Sequence, residues 1–370
     1  MKKVLILVNH DIVIYNFRKE LVERLIKEGY KVYISSPYGE RIDELVEMGC
    51  EFIETKIERH GLNLLEELKL IQTYKKIIRH VLPDVILSYT IKPNIYGAIA
   101  AKSVGVPVIA NITGLGSAVE NKGIMQKITV LLYKFAFRKI HTVFFQNEEN
   151  QQFFIDKNIA VGKHKLIPGS GVNLEHYSPL EYPKGNTTEF VFISRIMKEK
   201  GIDQYIDAAK YIREKHPNTK FHVLGFCEED YEERLKELED RETIIYHGMQ
   251  RDIREYLEKT HCTIHPTYYP EGMSNVLLES AASSRPIITT DRSGCREIVD
   301  EGSNGFIVES KSSEDLIKKI ESFIKLSDEE KKEMGQAGRK KVEKEFDRQI
   351  VVDAYLSEIQ SLNGAKSHEL

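Results

Sequence analysis

Tryptophan is absent from the 370 residues, and cysteine is scarce: Cys50, Cys227, Cys262 and Cys295 lie far apart, with no CxxC pair. That pattern excludes a disulfide scaffold or zinc ribbon and suits a reducing cytosol. No apolar run approaches the ~18 residues of a spanning helix. The apolar run Val4–Val8 stops at Asn9-His10-Asp11, too short for a signal peptide. Without one, the closing Ser367-His368-Glu369-Leu370 does not read as a retention address. A net charge of only −4 leaves little to attract nucleic acid. No GxGxxG follows any apolar run, which argues against a dinucleotide dehydrogenase. Internal repeats and low-complexity tracts are also missing.

What is present is a soluble globular balance, with 41% hydrophobic and 30% charged residues, and enough chain for two domains. Charge is unevenly placed: residues 1–186 carry +5 (25 basic against 20 acidic), and residues 187–370 carry −9. Two domains facing different partners would give that asymmetry, as would compositional drift.

Short β-branched runs alternate with longer amphipathic stretches. Val4–Val8, Lys31–Ser35, Val85–Ser88, Val108–Asn111 and Thr142–Gln146 read as buried strands, with helical patterns at Phe17–Lys27, Leu64–His80 and Tyr96–Ser103. After a polar break at Pro179–Glu189 the rhythm restarts. Strands are expected at Phe190–Ile193, Phe221–Leu224, Thr263–His265, Ile287–Thr290 and Gly305–Val308, with helices interleaved between Ile202 and Leu326. This is an α/β chain of two doubly wound, Rossmann-like domains, 1–178 and 179–345, followed by a helical segment at 346–370. In such folds ligands sit beyond the carboxyl ends of the strands, so a cleft between the domains is the expected site.

Two motifs carry chemistry. Glu271-Gly272-Met273-Ser274-Asn275-Val276-Leu277-Leu278-Glu279 follows a strand and a proline-containing loop, and Ser274 or Asn275 is a good cap for a helix starting near Val276. The free amides and positive dipole end of that helix would suit a phosphate or a sugar hydroxyl. Glu271 and Glu279 are too far apart to share a proton and could grip opposite ends of one ligand. Taken singly, each also reads as an ordinary solvated carboxylate. Ser194-Arg195-Ile196-Met197-Lys198-Glu199-Lys200-Gly201 follows the first strand of the second half. Arg195 and Lys200 there could neutralise a diphosphate leaving group; in isolation Lys198 and Lys200 read as a solvated charge run.

In this order the motifs resemble family 4 retaining glycosyltransferases of the GT-B fold. The resemblance extends to Ile167-Pro168-Gly169-Ser170-Gly171-Val172-Asn173, Tyr246-His247-Gly248-Met249 and Pro286-Ile287-Ile288-Thr289-Thr290, and so covers nearly the whole chain. Tyr15-Asn16-Phe17-Arg18, Lys92-Pro93-Asn94 and Gly114-Leu115-Gly116-Ser117 are similar to the subgroup that extends undecaprenyl-diphosphate-linked sugars in capsule, O-antigen or N-glycan assembly, some members of which use UDP-GalNAc or UDP-galactose. The resemblance implies that Arg195 and Lys200 hold the nucleotide diphosphate and that Glu279 holds the ribose. Glu271 with the Gly272, Met273, Ser274 and Asn275 amides would hold the donor sugar, and Gly248 and Met249 would lie by the base. Arg195, Lys200 and Glu271 would be catalytic, in a front-face substitution that needs no metal or other cofactor. Acceptor contacts would come from His10, Tyr15, Asn16, Arg18, Lys92, Asn94, Thr113, Gly114, Gly116 and Ser117. The segment 346–370 would cross back to the N-terminal domain.

Two departures stand out. The first strand-to-helix loop lacks the family's glycine pair, which shifts contacts to side chains such as His10 and Arg18. The histidine that many members carry after the fourth strand is replaced by Asn111-Ile112-Thr113-Gly114, with Thr113 as a substitute. A GT-B nucleotide-sugar epimerase and a transferase with a soluble acceptor are the alternative readings.

Between Asn121 and Asn147 no acidic residue occurs. Ile124, Ile128, Leu131, Leu132 and Phe135 form an apolar helical stripe, with Lys127, Lys134 and Arg138 beside it. Such a helix either packs on the core with a basic outer side or lies on an anionic membrane. A lipid-linked acceptor favours the membrane, at the inner face of a bacterial plasma membrane.

Overall fold

The computed structural model describes residues 2–57, 64–116, 119 and 123–367, with side chains described as far as 362. The chain divides into two compact units, residues 1–170 with 348–370 and residues 171–347.

The first unit opens β1(Lys3–Leu7), α1(Asp11–Lys27), β2(Lys31–Ser36), α2(Ile42–Glu47), β3(Glu51–Glu54), α3(Leu64–Val81) and β4(Val85–Tyr89). A π-helical turn at Pro93–Gly97 leads into α4(Ala98–Val104), followed by β5(Val108–Ile112), α5(Ile124–Ala136), β6(Thr142–Phe145), α6(Glu148–Asp156) and β7(His164–Leu166). The sheet order is β3-β2-β1-β4-β5-β6-β7, and every pairing is parallel. β1, β4 and β5 are covered by helices on both faces, and this is why they read as near-continuous apolar runs.

The second unit contains β8(Thr188–Ile193), α7(Ile202–Lys215), β9(Thr219–Leu224), α8(Glu232–Asp240), β10(Ile245–Tyr246), α9(Arg254–Lys259), β11(Cys262–His265) and α10(Asn275–Ala282). It closes with β12(Ile287–Thr290), β13(Gly305–Val308), α11(Ser313–Lys325) and α12(Asp328–Glu345). Its parallel sheet runs β10-β9-β8-β11-β12-β13.

The chain then returns to the first unit as α13(Arg348–Ser367). Val351, Val352, Tyr355, Leu356 and Ile359 join the core over β1 and β2. The Asn111 side-chain amide donates to the Tyr355 hydroxyl at 2.8 Å, and Arg348 pairs with Glu20 at 2.9 Å.

Boundaries differ from the sequence reading in three places. The first unit ends at residue 170, not 178. Val172 bridges to Asp347 and is buried with Met273, Leu277 and Phe346, while Leu174 and Tyr177 pack on the same cluster. The second unit runs to 347 rather than 345 for the same reason. Helix α1 starts at Asp11, six residues before the apolar periodicity becomes clear, because the His10 Nδ1 accepts the Ile12 amide at 3.3 Å and caps it.

Candidate active site

Both sheets place their first and fourth strands side by side, and the strand order reverses between them. In the second unit this switch point lies between β8 and β11. Its carboxyl-end loops are Ser194–Gly201 and Pro266–Ser274, the two segments that hold Arg195, Lys200 and Glu271. The loops are locked together by backbone. Gly201 has φ +80°, and a Cβ there would strike the Pro266 carbonyl; Tyr268 donates its amide to the Glu199 carbonyl at 2.8 Å.

Lys200, only 7% exposed, directs its ammonium onto the Glu271 carboxylate. Burial pushes the Glu271 carboxyl up, but Lys200 and His265 outweigh it and hold it low, at about 2. Tyr269 lies under both cations, its ring 4.8 Å from the Lys200 ammonium and 5.3 Å from the Arg195 guanidinium. Arg195 is half-buried and meets Glu228 at 3.3 Å; burial opposes its charge, while Tyr269 and Glu228 more than offset that and raise its pKa. Two cations thus converge on one aromatic ring at the mouth of the loop.

Ser274 stands at the N-cap of α10 in extended geometry, yet its side chain makes no capping bond. The helix tip from Asn275 onward therefore presents amides without a side-chain partner. Not every amide assigned to the donor is available: that of Ser274 donates to the Gly294 carbonyl at 2.8 Å. Gly294 is tight against this loop, a Cβ there falling 2.7 Å from the Gly272 carbonyl. The Met273 side chain is buried in the core with Val172 and Leu277, so only its main chain can face a ligand. Glu279 lies one turn inside α10 and is half-buried.

Gly248, at φ +64°, and Met249, 65% exposed, follow the edge strand β10, two strands from β8. They rest on a chain of side chains the sequence did not reveal. The His247 Nε2 meets the His222 Nδ1 at 2.9 Å, and the His222 Nε2 meets Glu189 at 2.9 Å. His265 was likewise unread. As the last residue of β11 before Pro266, its strand position was the available signal. The residue is 2% exposed, with Nε2 3.9 Å from the Glu271 Oε1.

The acceptor residues assigned to the first unit fall into two sets. His10, Thr113, Gly114 and Gly116 lie in loops at the carboxyl edge of β1 and β5, Tyr15 stacks between Lys19 and Arg41, and Asn16 is exposed. Thr90, the residue after β4, has φ +68°, a strained conformation for a β-branched residue at this unit's own switch point. Two others are internal. Arg18 is buried, its guanidinium over Tyr89 and Tyr355 at 5.2 and 5.7 Å, and it props α13 rather than meeting an acceptor. Asn94 is buried too, accepting from Ser88 at 2.7 Å and donating to the Asn111 carbonyl at 2.9 Å. Lys92 is tied to Glu67 at 2.7 Å. Ser117 lies outside the described residues.

Helix α5 decides between core and surface for its apolar stripe. Thr129, Val130, Tyr133 and Ala136 face inward. Ile124 (77% exposed), Ile128, Leu131 (64% exposed) and Phe135 face out, and only Leu132 of the expected stripe packs on the core. Lys127, Lys134 and Arg138 are exposed beside them, and Phe135 sits between Lys102 and Arg138 at 4.9 and 5.7 Å. No described helix is long and apolar enough to cross a membrane.

Residues 3–147 match the glycosyl transferase 4-like family, and residues 181–341 match glycosyl transferases group 1. The chain is 25% identical over 362 residues to the N,N'-diacetylbacillosaminyl-diphospho-undecaprenol alpha-1,3-N-acetylgalactosaminyltransferase of Campylobacter jejuni, covering 93% of this chain and 94% of that one. It is 24% identical over 310 residues to the UDP-Gal:alpha-D-GlcNAc-diphosphoundecaprenol alpha-1,3-galactosyltransferase of Escherichia coli, covering 78% and 76%. Anabaena HepE, solved with UDP and glucose, superposes with a TM-score of 0.80 at 18% identity, over 98% of this chain and all (100%) of that one. Two Rossmann-like parallel-sheet domains in this arrangement of families define a GT-B glycosyltransferase. The chain belongs to the glycosyltransferases that join a 4-like N-terminal domain to a group 1 domain.

Proposed function

We propose that the protein transfers a hexose or N-acetylhexosamine, UDP-GalNAc or UDP-galactose being the favoured donor, to a polyprenyl-diphosphate-linked sugar in cell-surface polysaccharide or glycan assembly. The observation that carries this reading is the Lys200–Glu271 pair beside Arg195, next to the tip of α10 at the β8/β11 switch point. The names of the Campylobacter and Escherichia relatives support a lipid-linked acceptor.

In this reading Arg195 and Lys200 take the donor diphosphate together with the α10 amides, Glu279 takes the ribose hydroxyls and Glu271 the sugar hydroxyls. Gly248 and Met249 lie by the uracil. The bond from the sugar C1 to the phosphate oxygen breaks while the acceptor oxygen bonds C1 from the same face, so configuration is retained. The acceptor proton passes to the departing phosphate. Charge neutralisation at that phosphate is the largest catalytic contribution, on the order of several kcal/mol, and is assigned to side chains rather than to a metal. Among the first-unit residues, His10, Tyr15, Asn16, Thr113, Gly114 and Gly116 keep their assignment to the acceptor. The outward stripe of α5 with Lys127, Lys134 and Arg138 rests on an anionic membrane at the inner face, where each cation adds about 1 kcal/mol.

A panel of UDP-sugars scored by thermal shift, followed by transfer to polyprenyl-diphosphate-linked sugars, tests this. The expected outcome is stabilisation by one UDP-N-acetylhexosamine or UDP-hexose and an EDTA-resistant, acceptor-dependent product with retained configuration. Turnover of the UDP-sugar without acceptor would indicate an epimerase instead.

A further inference from the structure

We propose that His265 is a positioning residue that takes over the Glu271 carboxylate when Lys200 turns from it to the donor diphosphate; this rests on the donor-site reading above. One flexible ammonium is committed to Glu271. A diphosphate is the stronger attractor for a compact cation with three N–H donors. Once Lys200 turns, the Glu271 carboxylate stays buried without that charge, an arrangement that is costly unless another group compensates.

His265 is placed to do this. It is almost wholly buried, and neither ring nitrogen has a hydrogen-bond partner among the described residues. Buried polar atoms are nearly always satisfied, so an imidazole left this way calls for an explanation. Its Nε2 stands 3.9 Å from the Glu271 Oε1, just beyond hydrogen-bond range, and its main chain is fixed by the Thr289 hydroxyl, which donates to the His265 carbonyl at 2.8 Å. A small movement of the Glu271 loop closes the gap.

Lys200 from the β8 loop and Glu271 from the β11 loop act on the imidazole, and Cys295 after β12 stands near that pair, with Glu297 beyond it. Burial holds the Cys295 thiol well above its ordinary value, so it stays neutral. Burial holds the His265 imidazole low, Glu271 opposes that, and Lys200 adds to it. Removing Lys200 from the cluster therefore raises the affinity of His265 for a proton. The proton comes from solvent, binds a ring nitrogen, and leaves an imidazolium against the carboxylate.

Calorimetry of UDP binding near pH 7, in two buffers of different ionisation heat, reads this directly. The wild-type protein is expected to take up more protons per UDP than His265→Asn and His265→Gln, by a difference approaching about one, the variants reporting only the titration of the UDP terminal phosphate. UDP affinity in the wild type should rise relative to that of both variants as pH falls. A merely structural histidine would alter stability without removing the uptake. Binding by the wild type without proton uptake, or the same uptake in a folded variant, would overturn the proposal. Failure of UDP to bind, or equal binding by Lys200→Ala, would instead remove the donor-site reading beneath it.

Discussion

At the scale of single residues, Lys200 has two jobs that mutation separates. It neutralises a buried carboxylate in the resting site, and in the proposed reaction it neutralises the leaving group. Lys200→Ala leaves Glu271 buried without its ammonium, and breaking a buried pair in this way costs about 3–5 kcal/mol. Turnover in a radiolabel transfer assay should fall at least 100-fold, a loss of about 3 kcal/mol of transition-state stabilisation. Adding Glu271→Gln should recover most of the lost melting temperature and none of the activity. If the double variant regained turnover, Lys200 would be a structural cation alone. Arg18 and Asn94 show why residue roles were only partly legible in the sequence. Polar types in matching motifs marked them as ligand contacts, whereas burial turns one into a stack on two tyrosines and the other into a clamp between β4 and β5. Burial is a property of the fold that spacing does not carry.

At the scale of the helix, α5 presents apolar residues to solvent while smaller or amphipathic ones anchor it. Thr129, Val130 and Tyr133 face inward, and Tyr133 packs edge-on to Phe137 and Phe154 at 5.1 Å from each. Periodicity revealed the stripe but not the direction it faces, because a second apolar set shares the helix. Exchanging Leu131 and Phe135 for glutamate should leave stability within about 0.5 kcal/mol, since both are exposed. The same change should weaken binding to anionic vesicles by tenfold or more, at about 1.5 kcal/mol or more per buried side chain. Lys127, Lys134 and Arg138 changed together to glutamate should release the protein altogether. Unaltered co-sedimentation of both variants would remove the membrane face.

At the scale of the whole chain, strand and helix alternation sufficed to read two parallel-sheet units, because strands covered on both faces are continuous apolar runs. Three of the four edge strands escaped: β3 and β7 carry charged or exposed residues and β10 spans only Ile245–Tyr246, so none has the buried run that marks the centre of a sheet. The unit boundary escaped too, since Val172 is held by long-range packing against Phe346. The β8/β11 switch point was legible through Arg195, Lys200 and Glu271, whereas His265 was not, lying unmarked at the end of a strand. The most direct measurement is a crystal structure with UDP. The expected result is a diphosphate about 2.7–3.2 Å from the Lys200 ammonium and the first α10 amides, with Arg195 beside it. A nucleotide bound away from the β8 and β11 loops of the second unit would contradict it.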